Sequence, residues 1–160
     1  VSKGTFYTHF ASKESVFIEE FKRIDAYYDK KLDEAGPHIS DGEKILVVID
    51  AMTEYCANIC GIEFMKVVYS SQIISPKTMP ILNNKKRSLY SHLNDIVESG
   101  KASGEFDLDL ETDIIVEWLM RSARGLIYDW CLYKGTTDLE EEGHKYFTEI
   151  VKLLRHGICM

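Results

Sequence analysis

The chain has 160 residues, a formal net charge of −7 and a hydrophobic fraction of 45%, which suits one folded domain, or one domain plus a fragment of another. Its acidic balance disfavours binding of nucleic acid over the whole surface, because phosphate contacts need Lys and Arg. Residues 1–13 differ, since they contain Lys3 and Lys13 and no acidic side chain. We expect any contact with nucleic acid to lie there or before Val1.

The sequence offers no sign of export, membrane insertion or a cofactor. There is no signal peptide and no apolar run of about 18 residues. Its four cysteines, Cys56, Cys60, Cys131 and Cys159, lack the Cys-x-x-Cys spacing of zinc sites. We therefore expect a cytoplasmic protein with free thiols, no metal and no cofactor.

Helical patterns begin at the N-terminus, and no alternation of apolar and polar residues is long enough to predict a sheet. A short helix is predicted from Lys3 to about His9, and a longer one follows from Ser12 to about Glu34. Ser40 and Glu43 have the spacing of a capping box, which predicts a helix ending at Gly61.

The middle of the chain is predicted to be less regular. One short helix runs from Glu63 to about Ser71, and a longer one from Ile81 to about Ser99, with Pro80 at its first turn. Gly100 to Gly104 is predicted to be a turn. Lys85-Lys86-Arg87 is interpreted as a solvated helix face.

Two long helices close the sequence. The first is capped by Asp109 or a neighbour and ends near Tyr133, and the second begins at a capping box formed by Thr137 and Glu140 and ends near His156. The total is about eight helices, which predicts an all-α fold.

The helix that ends near Tyr133 is apolar over most of its circumference, so one face should pack on its own core and another on a partner. Together with the last helix it predicts a homodimer joined by a four-helix bundle. The predicted interface residues are Ala123, Leu126, Ile127, Trp130, Tyr146, Ile150, Leu153 and Leu154.

Residues 1–17 carry a nearly continuous motif: Val1-Ser2, then Tyr7 followed by His9-Phe10, then Ser12-Lys13-Glu14. This motif resembles the end of the DNA-binding domain in TetR-family transcriptional regulators. The resemblance implies a TetR-like, all-α architecture. Residues 1–17 would be the C-terminal part of a helix-turn-helix, and residues 18–160 a ligand-binding and dimerisation domain. Gly104-Glu105-Phe106, before a long aromatic-rich helix, is also similar to that family.

The resemblance further implies which residues contact operator DNA. Ser2, Lys3 and Thr5 would lie at the start of the recognition helix, near base edges or phosphates, and Tyr7 and His9 would contact the backbone. Lys13 would meet a phosphate at the N-terminus of the next helix. A complete family member has two further helices, which we expect before Val1. Without them the 160 residues should bind DNA poorly.

Family members sense a small molecule inside the larger helical domain, and the aromatic richness here suggests an apolar or aromatic ligand. Candidate contacts are Tyr55, Ile59, Phe64, Met65, Tyr69, Tyr90, Trp118, Arg121 and Ser122, each of which core packing would also explain. Arg121 either pairs with Glu117 one turn earlier or holds an anionic group of the ligand. Cys56 and Cys60 are interpreted as core residues.

The function expected from this resemblance is a ligand-responsive transcriptional regulator, by family default a repressor, that a small molecule releases from operator DNA. The alternative is a helical module that binds a small molecule without DNA activity. An enzyme is not expected, because the sequence shows no nucleophile-base-acid set, no glycine-rich phosphate loop and no metal-spaced cluster.

Overall fold

The computed structural model describes residues 13–74 and 81–156. The predicted first helix and the candidate DNA contacts Ser2, Lys3, Thr5, Tyr7 and His9 lie outside the described residues. Lys13, the remaining candidate, is the first residue of the first described helix.

Six α-helices and one π-helical segment make up the described part of the chain, in which no strand occurs. The all-α prediction is therefore confirmed. In chain order the helices are α1 (Lys13–Ala35), α2 (Asp41–Glu54), the π-helical segment (Tyr55–Cys60), α3 (Ile62–Ile74), α4 (Ser88–Ser103), α5 (Thr112–Leu132) and α6 (Leu139–His156).

Helix α2 is the central element, and it packs against α1, α4 and α6. Its N-terminus has the predicted capping box: the Ser40 hydroxyl accepts a hydrogen bond from the Glu43 N–H, and the Glu43 carboxylate accepts one from the Ser40 N–H. The helix continues through the π-helical segment to Gly61, whose φ of 74° suits glycine and ends it as predicted.

Helix α4 differs from its predicted bounds at both ends. It begins at Ser88, because residues 81–87 form turns in which the Asn84 side chain accepts a hydrogen bond from the Lys86 N–H. At the other end the helix passes through the predicted turn to Ser103, and Gly104 closes it at a φ of 75°. The Phe106 ring lies against Gly100, where any Cβ would overlap the ring, so this helical position requires glycine.

The two C-terminal helices begin later than predicted. Helix α5 starts at Thr112 rather than after Asp109, and the Thr112 hydroxyl donates to Glu98 of α4. The cap of α6 is Asp138, whose carboxylate accepts a hydrogen bond of 3.0 Å from the Glu141 N–H. The predicted box at Thr137 is wrong by one residue, since the Thr137 hydroxyl has no hydrogen-bond partner among the described residues.

Within residues 13–74 and 81–156, no single helix is both long and apolar enough to cross a membrane. Two consecutive helical segments, Asp41–Cys60 and Ile62–Ile74, are long and apolar enough only when they are taken together. They are bent by 105° relative to each other.

Candidate ligand cavity and interface

A small cavity of about 30 Å³ lies among α1, α2, α3, α5 and the segment leading into α4. This space holds about one water molecule. Its lining is apolar apart from two tyrosines, a cysteine and two arginines, and comprises Phe21, Ile24, Tyr28, Met52, Cys56, Met65, Tyr69, Leu82, Arg87, Leu89, Met120, Arg124 and Ile127.

Three methionines contribute to this wall, one each from α2, α3 and α5: Met52, Met65 and Met120. Methionine is unbranched and has three rotatable bonds, so it changes rotamer at lower cost than a β-branched residue. The cavity can therefore widen by side-chain movement without the loss of a helix.

Arg87 closes one side of the cavity through an ion pair with Asp25 of α1. The guanidinium Nη2 lies 2.5 Å from the Asp25 carboxylate, Nε donates to both of its oxygens at 3.2 Å, and the Phe21 ring lies 4.7 Å from the guanidinium carbon. Only 9% of the Arg87 side chain is exposed. Its interpretation as part of a solvated face is wrong, because Asp25 compensates its charge inside the protein.

Arg124 of α5 is the second arginine of the wall, and its surroundings are different. Its Nη1 donates to the Tyr90 hydroxyl at 3.0 Å and weakly to the Leu82 carbonyl at 3.4 Å. The Tyr69 hydroxyl donates to the backbone carbonyl of Arg124 at 2.8 Å. Within the described ranges no ion pair or hydrogen bond joins Arg124 to a carboxylate.

The structure divides the predicted ligand contacts into three groups. Met65 and Tyr69 line the cavity, and Tyr90 reaches it through Arg124. Tyr55, Phe64 and Ser122 lie elsewhere: the Tyr55 hydroxyl donates to Glu20 at 2.8 Å, Phe64 packs edge-on against Phe17, and Ser122 is half-buried outside the cavity wall.

The third group, Ile59, Trp118 and Arg121, is exposed and lies outside the wall of this cavity. Trp118 and Arg121 instead line a separate surface pocket beside Glu117. Arg121 pairs with Glu117 at 3.1 Å, the structural alternative considered for it. On α5 the face toward the cavity carries Met120, Arg124 and Ile127, which are spaced i, i+4, i+7. That spacing is the signal in the sequence that groups Arg124, rather than Arg121, with the residues of the cavity wall.

The other candidate surface is an exposed apolar stripe along α5, which we name the α5 stripe. Its apolar side chains recur at helical spacing: Ile114, Trp118, Tyr128 and Leu132. Gly125 lies between Trp118 and Tyr128, and a Cβ there would meet no atom within 4 Å. Tyr146 and Leu153 of α6 are about half exposed.

The predicted interface residues differ widely in exposure, and the dimer itself stays a prediction. Ala123, Ile127, Trp130 and Leu154 are buried in the core of the protomer itself, which leaves them little surface for a partner. Leu126 and Ile150 are partly buried against that core, and only Tyr146 and Leu153 of the predicted set are well exposed. The helix is apolar nearly all round, and sequence periodicity alone did not separate its two faces.

Two solved structures resemble the chain over 99% of its length. One is the fatty acid degradation regulator FadR from Bacillus halodurans, with 18% identity, a TM-score of 0.71 and 80% of that chain covered. The other is the transcriptional regulator FadR from Bacillus subtilis in complex with stearoyl-CoA, with 18% identity, a TM-score of 0.68 and 83% covered. No protein-family model matches the sequence, and no curated protein matches it significantly. The chain thus has the fold of these helical transcriptional regulators.

Proposed function

We propose that the protein is a ligand-responsive transcriptional regulator of the TetR family that binds operator DNA as a homodimer and represses transcription. The observation that carries the proposal is the motif in residues 1–17, which leads directly into a domain with the fold of two transcriptional regulators. In this proposal Ser2, Lys3, Thr5, Tyr7, His9 and Lys13 contact DNA, and no residue is catalytic.

Helix α1 supports a route from ligand to DNA. It begins at Lys13, next to the proposed DNA-binding residues, and it contributes Phe21, Ile24 and Tyr28 to the cavity wall. A ligand larger than the present cavity must displace part of that wall, and in this proposal the displaced part includes α1. The two DNA-binding heads must match half-sites roughly 34–36 Å apart, and movement of α1 changes that separation.

The chemistry of the wall supports a largely apolar ligand. Most of the lining atoms belong to Met, Leu, Ile and Phe side chains, which favour apolar groups. The Bacillus subtilis neighbour was solved with stearoyl-CoA, a ligand with a long apolar chain. A fatty-acid derivative is therefore the first ligand class to test with this protein.

The proposed homodimer uses the α5 stripe together with Tyr146 and Leu153 of α6. Trp118 is 48% exposed and Leu132 60% exposed, and large apolar groups on one face of a helix favour burial against a second copy. Gly125 has no Cβ, so two α5 helices can approach closely there.

The proposal is tested by fluorescence anisotropy of the full-length protein on DNA from the region upstream of its own gene, at two salt concentrations. We expect tight binding that falls steeply with salt, that a shuffled sequence does not match and that a ligand of the cavity reverses. A folded dimer that binds no DNA in this assay, nor in a genome-wide pull-down, would contradict the proposal. If that dimer still bound a small molecule, it would be a helical ligand-binding module.

A further inference from the structure

The two arginines of the cavity wall differ in how their charges are compensated. Arg87 has a carboxylate, Asp25, at 2.5 Å, and this partner uses several of its donors. Arg124 donates only to neutral oxygens, of Tyr90 and Leu82, among the described residues. A half-buried guanidinium without a counter-charge carries a desolvation cost that an anion would offset.

Tyr90 adds a second donor at the same place. Its side chain is buried, and its hydroxyl accepts a hydrogen bond of 3.0 Å from Arg124 Nη1. A tyrosine hydroxyl can accept one hydrogen bond and donate its own proton. Within the described part of the chain no hydrogen bond uses that proton, so Arg124 and Tyr90 place a guanidinium and a hydroxyl donor side by side at the cavity wall.

We propose that the ligand of this protein is an amphipathic anion, whose apolar part occupies the methionine-lined cavity and whose negative group binds Arg124 and Tyr90. This inference rests on the ligand-responsive function proposed above, and it adds the charge of the ligand and the site of its headgroup. Both a fatty acid carboxylate and the phosphates of its CoA ester supply that charge, because both present oxygens that accept from a guanidinium.

The test compares three probes with the same apolar chain in a direct binding assay on the purified protein: dodecanoate, dodecanoyl-CoA and dodecanol. At least one of the two anions is expected to bind about tenfold or more tightly than the neutral alcohol. A preference for dodecanoate assigns the site to a carboxylate, and a preference for dodecanoyl-CoA assigns it to phosphates. Equal binding of the alcohol, or no binding of any probe, would overturn the inference.

Two variants on the same helix locate the headgroup. Arg124→Met is expected to weaken binding of the preferred anion about tenfold or more and to leave dodecanol unchanged. Arg121→Met makes the same chemical change one turn away, outside the cavity, and should retain wild-type affinity. Arg124→Lys keeps the charge and should recover part of the lost affinity. Equal losses in Arg124→Met and Arg121→Met would contradict the assignment.

The wild-type comparison of acid with alcohol does not depend on the folding of any variant. The assay also contains no DNA. A protein that binds the anion but not DNA would refute the proposed regulator and keep this inference. A protein that binds DNA but none of the probes would keep the regulator and refute this inference.

Discussion

The pair formed by Asp25 and Arg87 joins α1 to the residue that precedes α4, at the edge of the cavity. Both side chains are largely buried, with 15% of Asp25 and 9% of Arg87 exposed. Such a pair contributes little net stability compared with apolar replacements, but removing one partner leaves an uncompensated charge inside the protein. The pair therefore fixes where α1 lies against the segment before α4.

Asp25→Ala is expected to lower the free energy of unfolding by about 3 kcal/mol, because Arg87 would remain buried without a counter-charge. The double variant Asp25→Leu with Arg87→Met removes both charges, so its free energy of unfolding should fall by less than that of Asp25→Ala. Urea denaturation measures both. Lys30→Ala, which breaks the exposed pair between Lys30 and Glu34 on the same helix, should unfold almost like wild type. A double variant less stable than Asp25→Ala would contradict this account.

At the scale of elements, Glu105 connects three parts of the fold. From the turn between α4 and α5, its carboxylate accepts hydrogen bonds from the N–H groups of Asp41 and Gly42, at 2.8 and 3.0 Å, and so completes the N-terminus of α2. Arg155 of α6 donates to the same carboxylate at 2.7 Å. Burial raises the pKa of Glu105, but hydrogen bonds from Arg155, Gly42 and Asp41 outweigh it, so the pKa lies below its ordinary value.

A lowered pKa means that Glu105 stabilises the fold above the ordinary pKa of a glutamate, and that this contribution is lost as the pH falls through the lower folded value. Glu105→Gln is therefore expected to be less stable than wild type at pH 7. Between about pH 5 and pH 3, its free energy of unfolding should fall by less than that of wild type. Urea denaturation across that range measures the difference. Glu149→Gln, at an exposed carboxylate of α6, should follow the wild-type curve, and a parallel curve for Glu105→Gln would exclude this role.

The corrected cap of α6 gives a second test at this scale. Asp138→Ala removes the acceptor for the Glu141 N–H and should cost about 1 kcal/mol of unfolding free energy. Thr137→Val replaces a hydroxyl that has no partner in the described part of the chain, so it should be neutral or stabilising. Thermal denaturation of the two variants side by side decides which residue is the cap. The opposite order of stabilities would restore the box predicted at Thr137.

The sequence predicts correctly the features that depend on neighbouring residues, and it mispredicts those that depend on tertiary contacts. The capping box at Ser40 and the stop at Gly61 depend on residues within one turn, so the sequence predicts them correctly. The predicted turn at Gly100 is helix in the structure, where Phe106 folds back over that glycine, and the burial of Arg87 depends on Asp25, 62 residues earlier. Local periodicity contains neither contact, so these features were mispredicted.

The candidate ligand site shows the same division. Met65 and Tyr69, predicted as ligand contacts, line the cavity because they lie on a helix that packs toward the core, and their contact with a ligand stays a prediction. Arg121 lies outside the wall of this cavity and Arg124, three residues later, lies in it, since the apolar positions of α5 form two faces, one toward the cavity and one outside. Only the tertiary structure shows that Arg124 lies on the inner face and Trp118 on the outer face.

At the scale of the whole molecule, the α5 stripe gives the proposed homodimer a direct test. Trp118→Glu introduces a charge into the proposed interface and should convert the dimer into a folded monomer. Light scattering coupled to size-exclusion chromatography measures the mass, and circular dichroism checks the fold. Val67→Glu, at a similarly exposed apolar residue of α3, should remain dimeric. A dimeric Trp118→Glu would show that the stripe is not the interface.

Helix α1 has a mechanical property that follows from its length alone. Lys13 and Tyr28 are 15 residues apart on one continuous helix, which corresponds to about 22 Å of rigid rod. A tilt of about 10° around Tyr28 displaces the Lys13 end by about 4 Å, and two copies moving oppositely double that displacement. In the proposed regulator, a ligand that tilts α1 at the cavity would therefore move the Lys13 end by a distance as large as the spacing between base pairs.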